Sequence, residues 1–135
     1  MNEKCVMIID EHLPLGEIAN TAAVLGITLG GKFPGYVGEN VTDGSGDPHI
    51  GIIKIPVPIL KANRETIGKL RLRLYEERYS DITAVDFTEL AQSCKSYEEY
   101  IDKMSYAARL DYIGLALCGD KRRINSLTGN LPLLK

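Results

Sequence analysis

Three carboxylates and a histidine, Asp10, Glu11, His12 and Glu17, crowd one short stretch, with Asn20 a helical turn further on. Carboxylates gathered like this do general acid–base work or hold a metal weakly. The ordinary alternative is that Asp10 caps the turn that follows it and the others are solvated. His12 is isolated and reads as a surface histidine, so no metal and no cofactor is expected. Asp86 lies at the end of another apolar run, 82–87, and with Asp10 it is the candidate catalytic carboxylate.

A second cluster is basic. Lys121, Arg122 and Arg123 open a helical segment, where the macrodipole disfavours cations. They are anion-binding candidates, joined to a helix N-terminus. The alternative is a solvated basic turn answered by Asp120. Thr42, Asp43, Asp47 and His49 sit in a glycine-rich stretch whose Asp-Gly-Ser-Gly-Asp run superficially suggests calcium. The closing glutamate of a calcium loop is missing, and a hairpin turn needs the same residues. Lys69, Arg71, Arg73 and Arg78 could form a phosphate-tracking stripe, but they alternate with Glu65, Glu76 and Glu77, as on a solvated helix face. Tyr97, Tyr100, Tyr106 and Tyr112 fit packing on a sheet edge at least as well as stacking on a ligand.

The elements that must position these residues follow from the apolar pattern. Residues 5–9 form an unbroken apolar run, the mark of a strand covered on both faces. A helix is expected over 16–29, ending at Gly30-Gly31. A long loop is expected over 32–49, and a β-branched strand over 50–57, bounded by Pro56 and Pro58. Asn63 is placed to cap a helix reaching about residue 78. A strand over 82–87 leads into short helices over 88–94 and 96–104, with Ser96 and Glu99 in capping-box register. Residues 112–118 read as a second buried strand, followed by a last helix and an apolar tail, 131–134, expected to dock. The alternation predicts one α/β domain over 1–135, a three-layer arrangement with a mixed four-stranded sheet and helices on both faces. In such sheets ligands gather at strand carboxyl ends, here after residues 10, 86 and 118.

The 135 residues carry a net charge of −2, with 44% hydrophobic and 25% charged residues. That balance suits a globular domain and gives no global attraction to RNA or an anionic membrane. No apolar stretch approaches the ~20 residues of a spanning helix. Met1-Asn2-Glu3-Lys4 leads straight into the first strand without a signal peptide, so a cytoplasmic protein is expected. The three cysteines, Cys5, Cys94 and Cys118, are odd in number and lack metal-type spacing. They indicate no disulfide framework, and Cys5 and Cys118 are expected to act as small buried hydrophobes.

The run 114–119, followed after one helix by Leu127-Thr128-Gly129-Asn130-Leu131, resembles the close of type II peptidyl-tRNA hydrolases, a valine-threonine-glycine-histidine-leucine sequence. Nearly the whole chain is also similar to a bacterial family known as domain of unknown function number two thousand. The matching pieces include Asp10-Glu11, Leu13-Pro14, Gly16, Ala19-Asn20, Val41-Thr42-Asp43, 55–61, Val85-Asp86-Phe87-Thr88, 96–100 and 125–134. The first resemblance implies a type II peptidyl-tRNA hydrolase-like fold. In its terms Asp86 matches the aspartate after the third strand, Thr88 stands near a family threonine, and Thr128 matches the C-terminal threonine. Those enzymes open their first helix with glycine-lysine and carry a histidine further along it. Here Glu17 follows Gly16, no Lys or His precedes Lys32, and Asn130 replaces the C-terminal histidine.

The function expected is therefore binding of a small polar or anionic ligand near the first-helix N-terminus. Gly16, Glu17, Asn20, Thr88 and Thr128 would line that site beside Asp10 and Asp86. One alternative is an esterase of the peptidyl-tRNA hydrolase type; tRNA itself is not an expected partner, given Glu17 and the net acidity. Another is a non-catalytic homodimer joined through residues 55–60 and the apolar tail.

Overall fold

The run 5–9 is apolar on both faces because both faces are covered. In the computed structural model, which describes residues 2–135, it lies in β1 (Glu3–Asp10), with Cys5 to Asp10 all buried. The other elements are α1 (Leu15–Lys32), β2 (Val41–Thr42), β3 (Pro48–His49), β4 (Ile59–Ala62), α2 (Arg64–Arg73), β5 (Thr83–Thr88), α3 (Glu89–Ser93), α4 (Tyr97–Tyr106), β6 (Tyr112–Asp120) and α5 (Lys121–Thr128). The main sheet runs β4-β1-β6-β5, so the two unbroken apolar strands are central. β4 is parallel to β1, while β6 is antiparallel to both β1 and β5. It is an α/β fold with a mixed four-stranded sheet, as expected.

Alternation within β1 divides the core. Val6 and Ile8 pack with Leu115 and Leu117 against Ile67 and Leu70 of α2 and Ile124 and Leu127 of α5. Cys5, Met7 and Ile9 point the other way, to Leu25 and Leu29 of α1. Gly114 makes the α1 layer possible: a Cβ there would lie 2.4 Å from Thr21 Cγ2, well inside van der Waals contact. Two caps are those the sequence suggests: Asn63 and Ser96 accept from the first turns of α2 and α4, and Asp120 does the same for α5.

Several expectations are corrected. The strand expected over 50–57 is displaced to Ile59–Ala62, because Pro56 and Pro58 lack the N–H a ladder needs. α1 runs through Gly30-Gly31 to Lys32. α2 stops at Arg73, and a 3-10 turn follows at Glu77–Tyr79. Cys5 and Cys118 are buried, but they form a disulfide. They stand directly opposite in the β1–β6 register with Cα atoms 4.2 Å apart. At a separation of 113 residues no local spacing announces the pair.

The apolar tail docks on β4, with Lys61 donating to the Pro132 carbonyl and Leu134 to that of Ile59. Residues 37–54 instead leave the body as an arm carrying the β2–β3 hairpin, and residues 39–50 are all exposed. Gly46, at φ 87°, turns the hairpin, and Asp43 accepts from the Ser45 and Asp47 N–H groups while bonding His49. The calcium-like run is therefore a turn.

At the base of the arm the buried Tyr36 hydroxyl donates to the Glu3 carboxylate. Burial first, then that hydrogen bond and the Glu3 charge, push the Tyr36 pKa up to about 12. The unfolded phenol ionises near pH 10. The stability gained from the raised value is therefore complete below pH 10 and is lost as pH rises towards 12, on the order of 2–3 kcal/mol in all. Tyrosinate absorbance should show one phenol ionising near pH 12, and Tyr36→Phe should remove that step. An unchanged titration in the variant would refute the assignment.

Candidate functional site

Each candidate carboxylate is held by an arginine of α2. Asp10, 2% exposed at the end of β1, accepts from Arg64 Nε at 2.8 Å and from the His12 N–H at 3.0 Å. The same guanidinium donates through Nη1 to Glu89 of α3 at 2.6 Å. Bonding to Asp10 above all raises the Arg64 pKa, against the opposing effect of burial and with Glu89 assisting. One turn and more along α2, Arg71 Nε donates to Asp86 at 2.7 Å, and its guanidinium lies 4.0 Å from the Tyr75 ring centre. Arg64, Gly68 and Arg71 follow i, i+4, i+7 spacing and so share one side of the helix, with Tyr75 in the turn just beyond its end.

Asp86 lies within β5, not after it, since the strand continues to Thr88. It pairs with Leu115, which in turn faces Ile8. Two strand spacings and two residues of rise put its backbone about 12 Å from that of Asp10.

The other expected site residues do not converge with these two. Gly16, Glu17 and Asn20 belong to α1, on the opposite sheet face from α2, and Asn20 and Gly16 are exposed there. Thr88 is fully buried and its hydroxyl accepts from the Ala91 N–H, capping α3. Thr128 is buried and donates to the Ile124 carbonyl. Lys121, Arg122 and Arg123 do not form one anion cradle. Asp120 accepts from the N–H groups of Arg122 and Arg123, and the Arg123 side chain turns to Asp81 and the Arg78 carbonyl. His12 is exposed, and among the described residues no group of three or more His, Cys, Asp or Glu is placed to hold a metal ion. Among the described residues no helix is long and apolar enough to cross a membrane.

What opens beside the carboxylate–arginine network is a groove of about 520 Å³ between α2 and residues 108–112. Arg64, Gly68, Lys69 and Leu72 form one wall, and Arg109, Leu110 and Tyr112 the other. Gly68 faces Tyr112 across it: a Cβ there would make ordinary contact with the ring at 3.9 Å, so a longer side chain would reach into the groove. Glu89 N–H donates to the Asp111 carbonyl at 2.9 Å, which ties the far wall to the end of β5. Lys69 is answered by Glu65. Arg109 has no ion-pair or hydrogen-bond partner among the described residues, and Arg64 keeps Nη2 without an acceptor among them.

A second hollow, about 460 Å³, lies beyond β5 and includes Asp86, Cys94, Tyr97 and Tyr100. The Tyr100 pKa is raised there, by burial first and then by Asp86, Tyr97 and Cys94. Arg64 escaped sequence reasoning, and Arg71 reads there as one charge of a solvated stripe. Their shared i, i+7 side of α2 was the available signal, but their partners lie on other elements.

The sequence profile of a family described as proteins of unknown function, DUF2000, matches residues 3–135. No curated protein matches the chain. Among solved structures, a protein of unknown function from Agrobacterium tumefaciens strain C58 superposes with a TM-score of 0.88 at 21% identity, over 98% of each chain. At that identity the likeness is one of fold.

Proposed function

We infer a function for this chain, which belongs to the DUF2000 family of proteins of unknown function, from the groove beside α2: it binds a small ligand with an anionic group. The observation that supports this is Arg64. Its Nε and Nη1 are fixed by Asp10 and Glu89, Nη2 has no acceptor among the described residues, and the side chain lines the groove. A guanidinium fixed on two sides is pre-organised, so little rotamer entropy is lost when a carboxylate or phosphate oxygen docks. Arg109 supplies a second cation, and Leu72, Leu110 and Tyr112 an apolar wall. This moves the expected ligand from the first-helix N-terminus to the other sheet face, still at the carboxyl ends of β1 and β5.

Binding rather than turnover suits the site. Asp10 and Asp86, which a hydrolase of the peptidyl-tRNA type would need free, are both engaged by arginines. The likeness to the type II hydrolases is proposed as one of layout only. A cytoplasmic location is proposed on the sequence, with the Cys5–Cys118 pair as its check, because disulfides are rare in that compartment. Protein recovered from cells with its thiols blocked should then carry the pair reduced.

The test is a thermal-shift screen of carboxylates, phosphate monoesters and nucleotides on the wild type and on Gly68→Leu. A ligand at a hundred times its Kd stabilises by about 2.7 kcal/mol. The shift seen with wild type should vanish in Gly68→Leu, whose side chain fills the groove, and shrink in Arg109→Ala. A ligand that stabilises all three proteins equally binds elsewhere and refutes the groove.

A further inference from the structure

We propose that α1 and the arm form a symmetric interface with a second copy of this chain. α1 is the longest helix, and its outer side is apolar. Leu15 is 82% and Ile27 77% exposed, with Ala19 and Ala23 exposed between them. No charged residue occurs from Ile18 to Gly31, fourteen positions, and Asn20 is the only strongly polar residue on the exposed stripe. Surface helices normally carry charges on the solvent side.

The pattern is self-complementary. Leu15, Ala19, Ala23 and Ile27 are spaced evenly about position 21. In an antiparallel pair of α1 helices, Leu15 of one copy meets Ile27 of the other, and Ala19 meets Ala23. Large side chains then face each other at the ends, and small ones at the centre allow the backbones to approach. This is what an isologous two-fold contact requires, and the absence of charge leaves nothing to repel an identical face.

The arm supplies the rest. It leaves the body just beyond the C-terminus of α1, which in an antiparallel pair lies beside the partner's Leu15. Val41 is 59%, Ile50 84% and Ile52 79% exposed. These residues line a hollow of about 480 Å³. A large aliphatic side chain buried at the interface removes roughly 60–120 Å² of apolar surface from water. Five of them, Leu15, Ile27, Val41, Ile50 and Ile52, give about 300–600 Å² per copy before the alanines, Val37 and Ile53 are added. A stable interface needs about 800 Å² per partner. The expected alternative surface, the tail with residues 55–60, is already paired within the chain.

Sedimentation of the full chain at tens of micromolar should give twice 14.9 kDa. Ala23→Arg should be monomeric with an unchanged circular dichroism spectrum, and Ile50→Ser with Ile52→Ser should weaken the dimer at least tenfold. An equimolar mixture of Ala19→Cys and Ala23→Cys proteins should cross-link more than either alone, which fixes the antiparallel register. A monomeric wild type overturns the proposal, including one that instead floats with phosphatidylcholine vesicles. So does a dimer that Ala23→Arg leaves intact.

Discussion

Replacing Arg64 by alanine is expected to lower stability by about 3 kcal/mol, the low end of the cost of breaking a buried ion pair. The Asp10 carboxylate would keep only the His12 N–H while sitting 3% exposed. The Arg64 side chain is itself 38% exposed, so water entering its place relieves part of the penalty. For a domain of this size the loss corresponds to a fall in Tm of roughly 10 °C. Glu89→Ala removes the outer partner, 57% exposed, and should cost under about 1 kcal/mol. Asp10→Asn with Arg64→Ala should recover part of the loss, since the unpaired charge is then gone. Urea unfolding of the four proteins measures the set. Equal costs for Arg64→Ala and Glu89→Ala would show that Asp10 does not depend on the arginine.

The second large effect concerns Cys5 and Cys118. Their bond closes nearly the whole chain, a loop of 113 residues. A loop of about 100 residues gives up to ~4.7 kcal/mol in the chain-entropy description. Oxidised wild type should therefore melt roughly 10–15 °C above the reduced protein. Cys5→Ala should melt near the reduced protein and lose its sensitivity to reductant, because Ala leaves the strand pairing intact. Intact mass under non-reducing conditions establishes the oxidised state first. A wild type whose melting ignores reductant while its mass shows the bond would contradict the expected gain.

Much of the fold was legible because burial on both faces leaves a plain mark. Residues 5–9 and 112–118 are continuous apolar runs and became the central strands. Asn63 and Ser96 announce helix starts through their own side chains. Elsewhere the pattern was ambiguous. The β-branched run at 50–57 has strand composition but lies in and beside the arm, where residues 36–38 offer it only the isolated Val37–Ile53 bridge; the longer strand formed only past Pro58, alongside β1.

The site was legible residue by residue but not as a set. Asp10 and Asp86 stood out as carboxylates at apolar runs, and both carry an arginine. A strand apolar on both sides does not say which face each helix takes. The expected grouping with Gly16 and Asn20 therefore failed when α1 packed opposite α2. Arg71 looked like one charge of a solvated stripe. Its 12% exposure goes with its ion pair to Asp86 of β5, a tertiary fact with no local signal.

The most direct test of ligand binding at the α2 groove is to follow backbone amide resonances of the full chain while adding the carboxylate or phosphate compound that gives the largest thermal shift. The resonances of Gly68, Lys69, Leu72, Arg109 and Leu110 should move together and saturate with a single Kd. Saturable shifts centred instead on Gly16 and Asn20, or on Cys94 and Tyr100, would contradict it.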